Sequence, residues 1–244
     1  MPLSREDGMM EVVSVEQMRN SDAYTIEHLV SGRELMYRAA YGVYLATKWE
    51  GRIAIVVGSG NNGGDGYALS CILAEKGINC VLIALSEPST DDSRYYRRLA
   101  EEKAIEILPY FDDALDGYDV IVDCMLGTGF CGKPREKYRS AIEKINLSGA
   151  YVVSVDINSG MNGDTGIVEY AVHSDLTVTI GYVKQGLITP CAGSYIGKLV
   201  CVDIGIMLLS SEGHVVDGCE TQVAPQERSF PRPDWLETDI IKAY

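Results

Sequence analysis

Four short stretches of this chain gather acids, amides, glycines and bases in patterns that chemistry can use. The first, "VGSGNNGGDGYALS" at 57–70, fits G-x-G-x-x-G through Gly58, Gly60 and Gly63, but sets Asn61, Asn62 and Asp65 in the same turn. Glycines let backbone N–H groups approach a phosphate, whereas a carboxylate beside them repels it. The second, "VDCMLGTGFCGKPR" at 122–135, places Asp123 near the end of an apolar run, then Gly127, Gly129 and Gly132 with Lys133 and Arg135 close by. A lone buried carboxylate is costly, so Asp123 needs a hydrogen-bonding neighbour or a cation, with a loop cap as the plainer use. The third, "VDINSGMNGDTG" at 155–166, supplies Asp156 and Ser159, and the fourth, "YVKQGL" at 182–187, supplies Lys184. An Asp and a Lys converging on one cleft form an acid–base pair in which each tunes the other's proton affinity. A structural salt bridge is the competing use.

Three uses fit the first stretch. In one, Asp65 caps a helix beginning at Gly66 and the glycines serve backbone geometry. In another it is a dinucleotide fingerprint, with Glu87, about twenty residues on, holding a ribose. That use puts Asp65 close to the pyrophosphate, where its charge is unfavourable. In the third the loop offers N–H groups together with amide and carboxylate oxygens, for a cation and a polar ligand side by side. Other chemistries lack their residues: there is no G-x-x-x-x-G-K-[ST], no G-x-S-x-G elbow and no H-E-x-x-H.

Composition narrows the classes further. The 244 residues, 46% apolar and 23% charged, suit an ordered globular chain. A net charge of -14 without a basic run argues against nucleic acid. The glycine-rich stretch with Lys133 and Arg135 is then the local positive cluster that an anionic ligand requires, with Lys137 and Arg139 on an exposed helix face nearby. The 7 cysteines are odd in number and form no C-x-x-C, which suits reduced thiols in a cytoplasmic protein. The opening "MPLSREDGMM" has no apolar core of a leader, and no window is long and apolar enough for a membrane span.

The elements that must position these stretches follow from periodicity. Ser14 with Gln17 and Ser31 with Glu34 read as capping boxes opening two N-terminal helices, the second with a broad apolar face through Leu35, Met36, Ala39, Ala40, Val43 and Leu45. Apolar runs then alternate with helical segments. Strands are expected at 52–58, 79–85, 118–126, 150–157, 175–182 and 198–205, and helices at about 66–76, 91–103 and 135–147. That alternation implies an α/β fold: a Rossmann-like, doubly wound, mostly parallel sheet with helices on both faces, preceded by two helices. In such a sheet ligands bind where strands end, and all four stretches lie there. Residues 1–218 read as one domain. The proline- and charge-richer segment 219–244 reads as a C-terminal tail or packing arm, or as a linker towards a further domain.

Taken together and in order, "GSGNNGGDGYALS", "VDCMLGTGFCGKPR", "VDINSGMNGDTG", "VKQGL" and "GKLVCVDIGI", with "LMYRAA" in the second helix, resemble the NAD(P)H-hydrate epimerases of the YjeF N-terminal domain family. The resemblance runs over roughly residues 12 to 210, and departs at Asn158, where the family usually has proline. It implies epimerisation of R- and S-NADHX or NADPHX, reduced nicotinamide nucleotides hydrated at carbon 6 of the ring, so that an S-specific dehydratase can restore either. It implies a potassium ion held through Asn62, Asp123 and Ser159. It places the substrate against Asn61, Asn62, Gly63, Gly64 and Asp65, against Gly127, Thr128, Gly129, Phe130, Cys131, Gly132 and Lys133, and against Asp156. Asp156 as acid/base, with Lys184 as its proton partner or water-positioning group, is the expected catalytic pair. A homodimer and a dehydratase on a separate protein or a longer chain are the implied partners. A binding or interaction module on the same fold, and an ordinary NAD(P)-dependent oxidoreductase, are the competing classes.

Overall fold

The run "IAIVV" is buried at all five positions and forms β2 (Ile53–Val57); "VIVDC" is buried likewise and forms β5 (Val120–Cys124). Strands covered on both faces belong at the centre of a parallel sheet, and these two pair with each other there. A computed structural model describes residues 11–216, 230–231 and 233–236. Outward from β2 lie β3 (Cys80–Ala84) and β4 (Glu106–Pro109); outward from β5 lie β6 (Tyr151–Val155), β7 (Ser174–Ile180) and β9 (Ile196–Val202). Every pairing in the sheet is parallel. Chain order runs outward in opposite directions from the β2–β5 boundary, so a crevice opens at the carboxyl ends of those two strands.

Alternate residues of β2 serve two cores. Ile53, Ile55 and Val57 join the core beneath α2 (Gly32–Ala46), α3 (Asn61–Glu75) and α4 (Asp91–Glu102), whereas Ala54 and Val56 join the one beneath α5 (Glu136–Leu147). The doubly wound expectation holds. So do both serine caps: the Ser14 hydroxyl accepts from the Gln17 N–H at 3.0 Å to start α1 (Val15–His28), and Ser31 accepts from Glu34 N–H at 3.3 Å to start α2. The return half of each capping box is spent elsewhere, Gln17 on the Leu209 carbonyl and Glu34 on Arg38.

Three expectations need correction. β4 was absent from the expected strands; it is a short edge strand with little burial, and carries no apolar run to announce it. A two-strand parallel ladder of β1 (Val12–Val13) and β8 (Val183–Lys184) was also unforeseen. Most consequentially, α3 begins at Asn61 rather than near 66, with Gly60 as its N-cap. "NNGGDG" is therefore the opening of a helix, and Asp65 lies in its second turn instead of capping it.

The glycines of that stretch make a close helix–sheet contact. A Cβ built on Gly63 would fall 2.1 Å from the Gly58 carbonyl oxygen, and one on Gly66 would fall 2.7 Å from Val57 Cγ1. Backbone cannot yield as a flexible side chain can, so Gly63→Ala is expected to destabilise the fold by about 1–3 kcal/mol. A urea-denaturation midpoint unchanged from wild type would contradict this packing role.

Of the tail, Trp235 stacks edge-on to Tyr37 and Tyr96 at 5.6 and 6.2 Å, and Leu236 is buried. Tyr95 Oη donates to the Trp235 carbonyl at 2.6 Å. These residues form a packed arm, while the expected boundary at 218/219 and residues 237–244 lie outside the described residues.

Candidate active site

A cavity of about 850 Å³ occupies the crevice between the carboxyl ends of β2 and β5. It receives Asn61, Asn62 and Asp65 from α3, Gly127, Thr128, Gly129, Phe130, Cys131 and Lys133 from the loop after β5, Asp156 from the end of β6 and Lys184 from β8. Of the remaining expected residues, Gly63 and Gly64 face the protein, Gly132 lies outside the lining with φ of 89°, and Asp123 and Ser159 are buried outside it.

The helix start at Asn61 answers the conflict posed by Asp65. The first intrahelical bond runs from the Gly64 N–H to the Gly60 carbonyl at 3.1 Å. The N–H groups of residues 61–63 therefore have no intrahelical partner, at the cavity's edge and at the positive end of the helix dipole. Asp65 follows a turn later. Burial also holds its carboxyl well above the usual carboxylate range, helped by the nearby charges of Asp156 and Asp22. The dinucleotide-fingerprint use loses its ribose acid, because the Glu87 carboxylate is exposed and pairs with Arg97.

Asp123 is fully buried and accepts four hydrogen bonds: from Met125 N–H (3.2 Å), Ser159 N–H (2.9 Å), Ser159 Oγ (2.5 Å) and Ser154 Oγ (3.0 Å). All four donors are neutral. Burial consequently pushes its carboxyl up in spite of them. Ser159 Oγ also accepts from the Leu126 N–H at 2.8 Å, tying the β6 turn to the loop after β5. Asn62 is only 7% exposed, and neither its Oδ1 nor its Nδ2 has a hydrogen-bond partner. Such a pair of orphaned buried polar atoms calls for a ligand or ion. Among the described residues no group of three or more His, Cys, Asp or Glu stands together as a metal site.

Asp156 is a non-glycine residue at φ of 67°. Holding it there costs about 1–3 kcal/mol, and such strain persists where the surroundings over-determine it. They do so here. Its N–H donates to the Val178 carbonyl (2.8 Å), its Oδ1 accepts from Lys184 Nζ (2.5 Å), and its Oδ2 accepts from the Thr128 N–H (3.4 Å). A Cβ on Gly127 would come within 3.2 Å of both Asp156 Oδ2 and Asn62 Cβ, so the loop passes tightly between these two side chains. Lys184 is 1% exposed, and its ammonium also donates to Thr179 Oγ1 (3.1 Å) and the Ile180 carbonyl (2.7 Å). The β1–β8 ladder fixes its backbone.

Asn158 takes over the stiffening that proline would give its turn. Its Nδ2 shares its two hydrogens among the carbonyls of Val172 and Tyr195 and Ser174 Oγ, each at 2.9 Å, and its Oδ1 accepts from Thr177 Oγ1 at 2.7 Å.

The basic cluster is less uniform than its sequence. Lys133 is exposed at the cavity rim and pairs with Glu169 at 2.7 Å; Arg135 lines the cavity too. Lys137 turns to the Leu85 carbonyl and Arg139 to the Tyr170 ring. Several lining residues were not foreseen, among them the charged Arg19 and Asp22 of α1 and Asp92 of α4. Asp22 shares a helix face with the buried Met18, Ser21 and Thr25, a face polar enough that an acid on it gave no clear sequence signal. Burial pushes its carboxyl up to about 7, Lys184 opposing and Asp156 adding to the rise.

A doubly wound sheet whose switch-point crevice holds an Asp–Lys pair, beside a helix N-terminus and a glycine-rich loop, has the layout in which α/β proteins place small-molecule sites. The family model of the YjeF-related protein N-terminus matches residues 32–186, and the chain belongs to that family. It is 35% identical over 204 residues to an NAD(P)H-hydrate epimerase of Oenococcus oeni, covering 80% of this chain and 96% of that protein. It is also 35% identical over 200 residues to the bifunctional NAD(P)H-hydrate repair enzyme Nnr of Archaeoglobus fulgidus, covering 81% of this chain but 42% of the relative. The chain thus spans less than half the length of the bifunctional relative. A crystal structure of yeast ynu0, YNL200c, superposes with a TM-score of 0.68 at 20% identity, over 83% of this chain and 91% of that one, and shares the fold.

Proposed function

We propose that this chain is an isomerase that interconverts the R and S forms of hydrated NADH and NADPH at carbon 6 of the nicotinamide ring. The observation that carries this is the Asp156–Lys184 pair, with Asp156 at positive φ, facing the cavity bordered by the α3 N-terminus and the Gly127–Lys133 loop. The α3 amides and the rim bases suit the phosphates, and the Asp156 carboxylate suits a ring that becomes cationic. The names of the relatives support the same activity.

Inversion at a carbon bearing both hydroxyl and ring nitrogen proceeds by loss of water to an iminium and readdition on the opposite face. Asp156 takes or returns a proton at the reacting oxygen, and its negative charge steadies the iminium. Lys184, with its three N–H groups each given to an acceptor, orients the Asp156 carboxylate. A coupled assay tests the activity. With NADHX as an R/S mixture and an S-specific dehydratase, conversion to NADH is expected to stall part-way without this chain and run to completion with it. An unchanged stall would contradict the proposal.

A potassium ion fits Asn62, Asp123 and Ser159. The Asn62 amide oxygen lacks a donor, and the Asp123 carboxyl is buried with only neutral hydrogen-bond partners, an environment that a bound cation would relieve. Hard oxygen donors suit such a cation. When bound it would supply positive charge beneath the substrate loop. Thermal melting in potassium against sodium chloride tests this without reference to turnover. Wild type is expected to gain about 2.7 kcal/mol at a potassium concentration a hundredfold above its dissociation constant. Asn62→Ala is expected to lose that difference, and an equal response of both proteins would contradict the site.

The same proposal includes a cytoplasmic homodimer working beside a dehydratase. Among the described residues no helix is long and apolar enough to cross a membrane. Leu29 at the C-cap of α1 and Leu45 of α2 are exposed apolar side chains available to a second copy.

A further inference from the structure

We propose that Asp22 is a second proton-transferring carboxyl, serving the face of the nicotinamide ring opposite to that served by Asp156. This presupposes the epimerase activity proposed above. Loss of water from one face and readdition on the other needs two proton-transferring groups. Lys184 is poorly suited to be the second, because its three protons go to Asp156 Oδ1, Thr179 Oγ1 and the Ile180 carbonyl. Asp22 enters the cavity from α1, a different wall from the β6 end that supplies Asp156.

The charged groups around Asp22 come from four elements: Arg19 on its own helix, Asp65 on α3, Asp156 after β6 and Lys184 on β8. Burial is the main cause that keeps its carboxyl protonated up to about pH 7. Burial also raises the Asp65 carboxyl well above the ordinary carboxylate range, with the charges of Asp156 and Asp22 adding to the rise, so Asp65 is the neighbouring carboxyl to be compared with Asp22.

In one direction the carbon 6–oxygen bond breaks, and its electron pair leaves with the oxygen. That oxygen takes the Asp22 proton and departs as water, while the ring-nitrogen lone pair forms the iminium double bond. A water then adds to the other face, the double-bond electrons return to nitrogen, and the proton released by that water passes to Asp156. From the opposite epimer the two carboxyls exchange roles, and cavity water restores their starting protonation. Nothing is oxidised or reduced.

The test measures R/S equilibration of NADHX against pH for wild type, Asp22→Asn and Asp65→Asn, with thermal melting alongside. Wild type is expected to show a bell-shaped profile with one limb near pH 7. Asp22→Asn is expected to be about a hundredfold slower and to lack that limb. Melting gives an independent reading. A carboxyl raised from 3.8 to about 7 on folding makes the protein less stable as pH rises through that window, so Asp22→Asn should gain on wild type across it. An active wild type with Asp22→Asn within twofold of its rate and the same profile would overturn this role alone. Loss of the limb in Asp65→Asn instead of Asp22→Asn would overturn it too. A wild type that does not accelerate equilibration would overturn the epimerase activity itself.

Discussion

Asp156→Asn is expected to slow R/S equilibration of NADHX by at least about a hundredfold while leaving the fold intact. Asparagine keeps the shape of the side chain and tolerates left-handed backbone better than most residues, so φ of 67° remains accessible. What disappears is the charge. Lys184 keeps its two neutral acceptors, Thr179 Oγ1 and the Ile180 carbonyl, but loses its carboxylate partner. Removing one member of a buried pair costs about 3–5 kcal/mol, so the variant is expected to melt lower and must be assayed where it is folded. Rates corrected for the spontaneous reaction decide the matter. A folded variant with near-normal turnover would remove Asp156 from the chemistry and leave a structural salt bridge.

The largest effect on stability is expected from Asp123→Ala. Its carboxylate is the common acceptor for Met125 N–H, Ser154 Oγ and both donors of Ser159, all in the buried floor beneath the loop after β5. Each buried donor left unsatisfied costs about 1–3 kcal/mol, and three lose their partner at once, while the Ser159 hydroxyl keeps the Leu126 carbonyl at 3.3 Å. Even with partial relaxation, the sum is a large share of the roughly 5–15 kcal/mol that holds a domain folded. Asp123→Asn keeps one acceptor oxygen and should fall between. Urea titrations of the two variants read this order directly. An Asp123→Ala midpoint near that of wild type would mean that the network is not the anchor of the β5–β6 floor.

The central sheet was legible because burial on both faces leaves a plain record: "IAIVV" and "VIVDC" are continuous apolar runs. Ser14 and Ser31 marked their helix starts because capping is local chemistry. The start of α3 was hidden, since adjacent glycines ordinarily signal a turn. Here they record how closely the Gly58 carbonyl, Met36 and Ser93 approach the helix, and those contacts are non-local. β4 was missed for want of an apolar run at an exposed edge. The acids at strand ends, Asp123 and Asp156, could be picked out by position, and the structure brings Asp156, Asn62 and Lys184 to one cavity. The left-handed backbone of Asp156 left no mark in residue type. Asp22 went unnoticed because an acid on a helix face is commonplace until the fold shows what the face meets. Glu87 had the right spacing for a ribose ligand, but Arg97 claims it.

The measurement that bears most directly on the whole account starts from purified R-NADHX. Its conversion to the S form is followed by chiral separation, with and without the protein, in potassium and then in sodium buffer. The account predicts conversion well above the spontaneous rate, weakened when sodium replaces potassium. No acceleration by folded protein would contradict it and leave a ligand-binding module on the same fold.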